Sequence, residues 1–150
     1  MKTKLLITAV TALCLSACSK DKFSTKPQLT FQSVNTQVLA PEQIIKFTLH
    51  YTDKEGDIQN NLYVEKITQN CEASNFESIY QMPTDVPPQQ NGEGDVTVTF
   101  GYGVDLNVPP IKEPACPAQN DTCYFRFALT DKKNNTSDTI TSPQIVLLKR

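Results

Sequence analysis

The amino-acid sequence predicts an all-β fold, a single antiparallel sandwich of about seven strands. Three observations support this prediction. Apolar and polar residues alternate with period two in several segments, no segment has a convincing 3.6-residue repeat, and residues typical of turns separate the alternating segments. With 150 residues, 39% of them hydrophobic and 20% charged, the chain lies in the globular range, which excludes coiled-coil and wholly disordered proteins.

The clearest predicted strand covers residues 43–51, where Ile45, Phe47, Leu49 and Tyr51 share one face. The same alternation predicts six further strands, at residues 29–34, 62–68, 76–80, 95–100, 123–129 and 139–148. Pro143 interrupts the last of these. Because proline cannot donate a hydrogen bond to a ladder, it predicts an edge strand or a bulge there.

The beginning of the chain has the organisation of a secretory signal. Two lysines precede an uncharged run over residues 5–15, which is too short to span a bilayer because a spanning helix needs about 20 apolar residues. The following Leu15-Ser16-Ala17-Cys18 resembles the lipobox of bacterial lipoproteins. The resemblance implies that residues 1–17 are a cleaved signal peptide and that Cys18 becomes a lipid-modified N-terminus, with palmitate among its acyl chains. Two or more chains give a stable membrane anchor.

Residues 18–28 are predicted to form a flexible polar tether ahead of a domain that covers residues 29–150. Ser19 favours the outer membrane, and residues 19–22 resemble the surface-export signal of Bacteroidota lipoproteins; an ordinary solvated linker is the alternative. Removal of the signal takes two lysines from the 14 Lys and Arg, leaving 12 against 16 Asp and Glu. This acidic balance predicts that the protein does not bind nucleic acid.

Two proline-rich stretches, residues 83–94 and 109–117, are long connections for a domain of this size. They are either plain surface connections in extended conformation or a rim that binds a partner.

Residues 47–58 and 124–138 are similar to the B–C and F–G hairpin regions of fibronectin type III and PKD-type immunoglobulin-like domains in bacterial surface proteins. The resemblance implies an immunoglobulin-like sandwich in which these two loops lie at the same end. The sequence departs from the common pattern by Asn134-Asn135 in the second turn and by the lack of a core Trp. Asn tolerates left-handed backbone conformations, so the turn remains feasible.

Three cysteines remain after Cys14 in the signal and Cys18 under the lipid. An odd number in an oxidising compartment predicts one disulfide and one free thiol. Cys116–Cys123, seven residues apart, is the favoured pair and Cys71–Cys116 the alternative, since spacing alone cannot decide. A zinc site would need four ligands, which three cysteines and one histidine do not readily supply.

The sequence predicts no catalytic function. The single histidine, His50, falls on the outward face of its strand, and neither a Gly-x-Ser-x-Gly nor a Gly-Lys-Ser/Thr motif occurs.

Four acids form the best chemical constellation. Asp53, Glu55 and Asp57 surround a glycine in the B–C region, and Asp131 begins the F–G turn. Converging carboxylate oxygens at a sharp turn suit Ca²⁺, bound at roughly 10⁻⁴–10⁻³ M as in extracellular modules. The alternative is plain turn chemistry with no cofactor.

These features together predict a lipid-anchored, noncatalytic envelope module that binds a protein or glycan through its loops. A small glycan-active enzyme or a hydrolase inhibitor on the same scaffold is the alternative.

Overall fold

The structure, a computed structural model, describes residues 23–85, 87–104, 107–116 and 119–149. These residues contain ten strands, in chain order: β1 (Gln28–Val34), β2 (Val38–Leu39), β3 (Gln43–Asp53), β4 (Asn61–Thr68), β5 (Phe76–Gln81), β6 (Gly92–Tyr102), β7 (Pro110–Ile111), β8 (Asp121–Thr130), β9 (Ile140–Thr141) and β10 (Ile145–Leu147). A single 3₁₀ turn, Glu72–Ser74, is the only helical element among the described residues.

The strands form two sheets that pack face to face. The first sheet has the order β1-β3-β6-β7, and the second has the order β2-β10-β8-β4-β5, with β9 paired to β8. The long strands pair antiparallel, whereas the short pairs β2–β10 and β6–β7 are parallel. The predicted all-β sandwich is therefore confirmed, with mixed sheet edges in place of purely antiparallel ones. The order also follows the immunoglobulin-like pattern, with β1, β3 and β6 as strands A, B and E opposite β10, β8 and β4 as strands G, F and C.

Aromatic rings fill the space between the sheets. Phe47 on β3 lies with its ring centroid 4.7 Å from that of Phe125 and 5.3 Å from that of Phe127, both on β8. Phe100 on β6 reaches Phe125 at 5.7 Å. These rings alternate with polar or exposed positions along their strands, because successive side chains of a strand point to opposite faces. The predicted inward face of residues 43–51 is confirmed, since Ile45, Phe47 and Leu49 are fully buried.

The predicted strand at residues 139–148 is divided into β9 and β10. Ser142 lies between them, buried, and its Oγ accepts a hydrogen bond from the backbone N–H of Phe125 at 3.0 Å. The N–H of Ser142 donates to the carbonyl of Phe125 at 2.8 Å, so the Oγ of Ser142 takes the place of a backbone carbonyl as the acceptor for Phe125. Pro143 thus marks a break between β9, which pairs with β8 alone among the described strands, and β10, which lies between β2 and β8.

The favoured disulfide was wrong. Cys71 pairs with Cys116, with Cα atoms 5.7 Å apart and 45 residues of separation, and Cys123 is a buried free thiol. Cys123 lies within β8, where its side chain packs into the core, so it cannot turn toward a loop cysteine. Cys71 and Cys116 both lie in loops at one end of the sandwich. The predicted count of one disulfide and one free thiol is confirmed.

The sandwich has two ends with different chemistry. We call the end with residues 54–60, 82–85, 87–91 and 131–139 the acidic end, and the end with residues 69–75 and 112–116 the disulfide end. The two proline-rich stretches leave the sandwich at opposite ends, yet Pro83 of the first and Pro109 of the second line one pocket along β6. Whether they form a partner-binding rim remains a prediction. In the described part of the chain the exposed large hydrophobic residues are Val38 and Ile79, neither of them in those loops. No helix of the described residues is long and apolar enough to cross a membrane.

Candidate metal centre

Three of the four predicted acids converge at the acidic end. Asp53 ends β3, Asp57 lies in the following loop, and Asp131 comes directly after β8. One carboxylate oxygen from each lies within 4.8 Å of the other two. Since Ca²⁺ binds oxygens at 2.3–2.6 Å, two oxygens that share one ion lie at most about 5 Å apart. The three carboxylates therefore have the spacing of a common cation site.

Asp53, like Asp131, is fully enclosed, with none of its surface exposed. Its Oδ2 accepts a hydrogen bond from the backbone N–H of Asp57 at 3.1 Å. Its Oδ1 is buried and has no hydrogen-bond partner among the described residues, and neither has the buried Oδ1 of Asp57. Buried carboxylate oxygens without a donor are costly unless a positive charge compensates them.

Gly56 gives the first loop its shape. Its φ of +65° lies in the left-handed region, and a Cβ added there would lie 1.9 Å from the carbonyl oxygen of Gln89. Only glycine therefore lets residues 54–57 turn against the loop that carries Gln89. The backbone N–H of Asn91 donates to the carbonyl of Lys54 at 2.7 Å and fixes that contact.

Asp131 organises the second loop. Its Oδ1 accepts hydrogen bonds from the backbone N–H groups of Lys133 at 2.8 Å and Asn135 at 2.7 Å, and its Oδ2 accepts one from Asn135 Nδ2 at 2.7 Å. Asn134 has a φ of 66°, which confirms the expected left-handed turn residue. A carboxylate has about four acceptor positions, so Asp131 can also contact a cation.

The two loops are joined directly. The N–H of Lys132 donates to the carbonyl of Asp57 at 2.9 Å, and Asn60 Nδ2 donates to the carbonyl of Asp131 at 2.7 Å. The predicted meeting of the B–C and F–G loops at one end is thereby confirmed.

Glu55 does not join the cluster. Its Oε1 lies 3.9 Å from Lys133 Nζ, and its side chain is one-quarter exposed. It contributes to the negative field near the other acids rather than to the group of converging oxygens. The structure thus separates the four predicted ligands into three that meet and one that pairs with a lysine.

Burial is the main reason why the pKa of Asp53 is raised above its ordinary value. The negative charges of Asp57 and Glu55 raise this pKa further, while the backbone N–H groups of Asp57 and Gly56 lower it. A divalent cation would reverse the balance, because an adjacent positive charge favours the ionised carboxylate.

Three carboxylates are the right chemistry for a hard cation. Ca²⁺ takes six to eight oxygen ligands in irregular arrangements, whereas Mg²⁺ requires near-ideal octahedral geometry and releases its waters reluctantly. The three aspartates would supply part of a Ca²⁺ shell, and water would supply the rest.

His50 lies on the outer surface of the first sheet. Its Nδ1 is 2.8 Å from Asp95 Oδ1, and Gln32 Nε2 donates to the same oxygen at 3.1 Å. These contacts form a polar cross-strand group on an open sheet surface. That the protein has no catalytic function remains a prediction.

Cys18, the predicted lipidation site, lies outside the described residues. The sequence analysis did not predict the hydrogen bonds from Lys132 and Asn60 that join the B–C and F–G loops. The polar residues after Asp57 and the shared end of these loops in immunoglobulin-like folds were signals for them.

The fold and the site define a small β-sandwich domain with a three-carboxylate group at one loop end. No protein-family model matches the chain, and no curated protein matches it. Among solved structures the chain is similar to Spo0M, a sporulation control protein from Bacillus subtilis, with 8% identity and a TM-score of 0.46 over 83% of this chain and 50% of that one. It thus spans half the length of Spo0M.

Two further structures have similar coverage. A Niemann-Pick type C2 protein from the Japanese carpenter ant has 13% identity and a TM-score of 0.42, over 85% of this chain and 97% of that chain. A CARDB domain from Pyrococcus furiosus, solved in complex with di-metal ions, has 11% identity and a TM-score of 0.34, over 85% of this chain and 98% of that domain. At these low scores the comparisons supply no functional assignment.

Proposed function

We propose that this protein is a lipid-anchored, noncatalytic module of the bacterial cell envelope whose acidic end binds Ca²⁺. The observation that carries the cation-binding part is the convergence of three aspartates around the fully buried Asp53, whose Oδ1 has no donor within the described chain. The membrane and outer-membrane part depends on the sequence that ends at Cys18. An envelope protein or a glycan remains the proposed partner.

The arrangement of the loops supports a structural cation rather than a catalytic one. Asp53, Asp57 and Asp131 come from two loops that already exchange backbone hydrogen bonds. A cation shared by the three carboxylates would join the same loops a second time. The proposed role is therefore to hold the loop end in one conformation for a partner.

Thermal unfolding and calorimetric titration test the cation site. The lipidated protein in detergent is unfolded in chelator, in Mg²⁺ and in Ca²⁺ at about ten times the weakest expected dissociation constant. We expect Ca²⁺ to stabilise the protein by about 1–3 kcal/mol, as binding at roughly 10⁻⁴–10⁻³ M requires by mass action, and Mg²⁺ to have a smaller effect.

Asp53→Asn should abolish the Ca²⁺ effect. Asp138→Asn is the matched control, because Asp138 is an acid of the same end that is 95% exposed and lies outside the cluster. An unchanged unfolding temperature in Ca²⁺, or an equal loss in both variants, would overturn the proposal.

Labelling with a radioactive or clickable palmitate tests the anchor. Label should enter the wild-type protein and not Cys18→Ala, which should remain a longer precursor. A Cys18→Ala protein that is cleaved, labelled and membrane-bound like the wild type would contradict the lipoprotein assignment.

A further inference from the structure

The chain enters the sandwich at the acidic end. Residues 23–27 lie against both loops of that end: the N–H of Lys54 donates to the carbonyl of Ser24 at 3.1 Å, and Asn135 Nδ2 donates to the carbonyl of Thr25 at 3.5 Å. Lys26 Nζ donates to Asp138 Oδ1 at 2.6 Å. This segment was expected to belong to a free tether, yet it is held by the domain.

The remaining connection to the lipid is therefore short. Five residue steps separate Cys18 from Phe23, the first described residue. A fully extended chain covers at most 3.3–3.6 Å per residue, so these steps span no more than about 18 Å. A lipid on Cys18 would keep the acidic end within that distance of the membrane surface.

The disulfide end lies much farther away. Strand β3 runs from one end of the sandwich to the other in 11 residues. At about 3.4 Å per residue this length is close to 34 Å, roughly twice the reach of the connection. Only the acidic end can therefore rest on the surface to which Cys18 is attached while residues 23–27 keep their contacts.

The surface of the acidic end contains both charges. Four exposed lysines belong to this end: Lys26, Lys54, Lys132 and Lys133. Lysines near a surface of anionic lipid are attracted to it, whereas carboxylates are repelled. Acids at this end include the three of the cluster together with Glu55, Asp85 and Asp138. A bound Ca²⁺ would cancel two of their negative charges and leave the attraction of the lysines less opposed.

We infer that the acidic end of the sandwich docks on anionic phospholipid headgroups, that Ca²⁺ strengthens this docking, and that the disulfide end faces away from the membrane. This inference rests on the proposed lipid anchor and the proposed cation site. It assigns the partner of the acidic end as the lipid surface and leaves the disulfide end as the side that an envelope protein or glycan can reach.

Brief lysine acetylation followed by mass spectrometry tests the orientation in the protein of unchanged sequence. The lipidated full chain is incorporated into vesicles of phosphatidylcholine with phosphatidylglycerol, into vesicles of phosphatidylcholine alone, and into detergent micelles, each with Ca²⁺ or chelator. Lys54, Lys132 and Lys133 report on the acidic end. Lys112, an exposed lysine of the disulfide end, is the internal control.

On anionic vesicles with Ca²⁺ we expect labelling of the three acidic-end lysines to fall several-fold, with Lys112 unchanged. The protection should weaken in chelator and on phosphatidylcholine alone. Asp53→Asn should lose the Ca²⁺ dependence, and the exposed double variant Lys132→Glu/Lys133→Glu should lose the protection of Lys54 in all conditions.

Equal labelling at both ends, protection of Lys112 instead, or full protection on phosphatidylcholine alone would overturn the inference. These outcomes are distinguishable from failure of the proposed function. If the protein has no lipid anchor, it will not float with the vesicles. If it has no cation site, the titration with Ca²⁺ will give no heat of binding.

Discussion

Two fully buried aspartates lie at opposite ends of the sandwich and have different surroundings. Asp121, at the disulfide end, lies with its Oδ2 2.5 Å from Nζ of Lys66, which is also buried. Asp53, at the acidic end, has a backbone N–H and two other carboxylates around it. The buried aspartate of the first end has a buried ammonium beside it, whereas that of the second would receive a positive charge from solution in the proposed cation site. A cation dependence is therefore expected at one end only.

The disulfide end is also closed by covalent and polar links. Lys66 Nζ donates a second hydrogen bond, to the carbonyl of Ser74 at 2.9 Å, and Ser74 Oγ accepts one from the N–H of Ala115 at 2.8 Å. The disulfide between Cys71 and Cys116 joins the same two loops. The buried ion pair and the disulfide thus hold one small group of residues together.

The largest effect should follow from Lys66→Met. It leaves Asp121 buried without its ammonium, and breaking a buried pair in this way costs about 3–5 kcal/mol. Chemical denaturation measures the loss. The double variant Lys66→Met/Asp121→Leu should recover most of it, because no uncompensated charge remains. A loss below about 1 kcal/mol in the single variant would show that Asp121 is not dependent on Lys66.

Removal of the disulfide comes next. Cys71→Ser/Cys116→Ser releases a loop closed over 45 residues, for which the chain-entropy relation gives an upper value of about 4 kcal/mol. Ca²⁺ should stabilise this variant by the same amount as the wild type, since the acidic end is not altered. Peptide mapping under non-reducing conditions identifies the disulfide. If it finds Cys123 in the disulfide, the comparison of the two ends is wrong.

Gly56→Ala should disturb the acidic end alone. The new Cβ meets the backbone of Gln89 and the residue is held at a positive φ. We therefore expect the free energy of unfolding to fall by about 1–3 kcal/mol and the stabilisation by Ca²⁺ to be lost. Gly94→Ala is the matched control, because its Cβ meets only the movable ring of Tyr51. Equal losses in the two variants would contradict a special role for the turn at Gly56.

The effect of Asp53→Asn on the free energy of unfolding should have opposite signs in chelator and in Ca²⁺. In chelator the substitution removes repulsion from Asp57 and Glu55, and we expect a gain below about 1 kcal/mol. In Ca²⁺ the variant should be less stable than the wild type, because it lacks the cation's contribution. Unfolding curves of both proteins in both buffers check the crossing; parallel curves would refute it.

The smallest effect is expected at Cys123. Burial raises the pKa of its thiol to about 12, with Asp121 adding to the shift and Lys66 opposing it. The reactive thiolate is therefore scarce between pH 7 and pH 10, and the folded protein should not react with iodoacetamide over that range. Reaction should require denaturant. Labelling of the native protein that increases steeply near pH 9 would indicate an accessible thiol.

The strands and the acidic loop could be predicted from the sequence because each depends on local patterns. Period-two alternation placed Phe47 and Phe125 in the core, and a glycine between Asp53 and Asp57 indicated a sharp turn. The Cys71–Cys116 pair joins loops far apart in the chain, which spacing cannot show.

Lys66 was missed although a signal for it existed. It occupies the same face of β4 as Leu62 and Val64, where a lysine requires a buried partner. The identity of that partner, Asp121, depends on the pairing of β4 with β8 and was beyond the local pattern.

The position of the N-terminal segment has a mechanical consequence. Force applied between residues 23–27 and the disulfide end acts along the strands rather than across them. It loads the β1–β3 ladder, from Gln28 opposite Thr52 to Val34 opposite Phe47, in shear. Hydrogen bonds loaded in shear must break together, whereas those loaded by peeling break one after another. The domain is therefore built to remain folded under tension between its entry point and its far end.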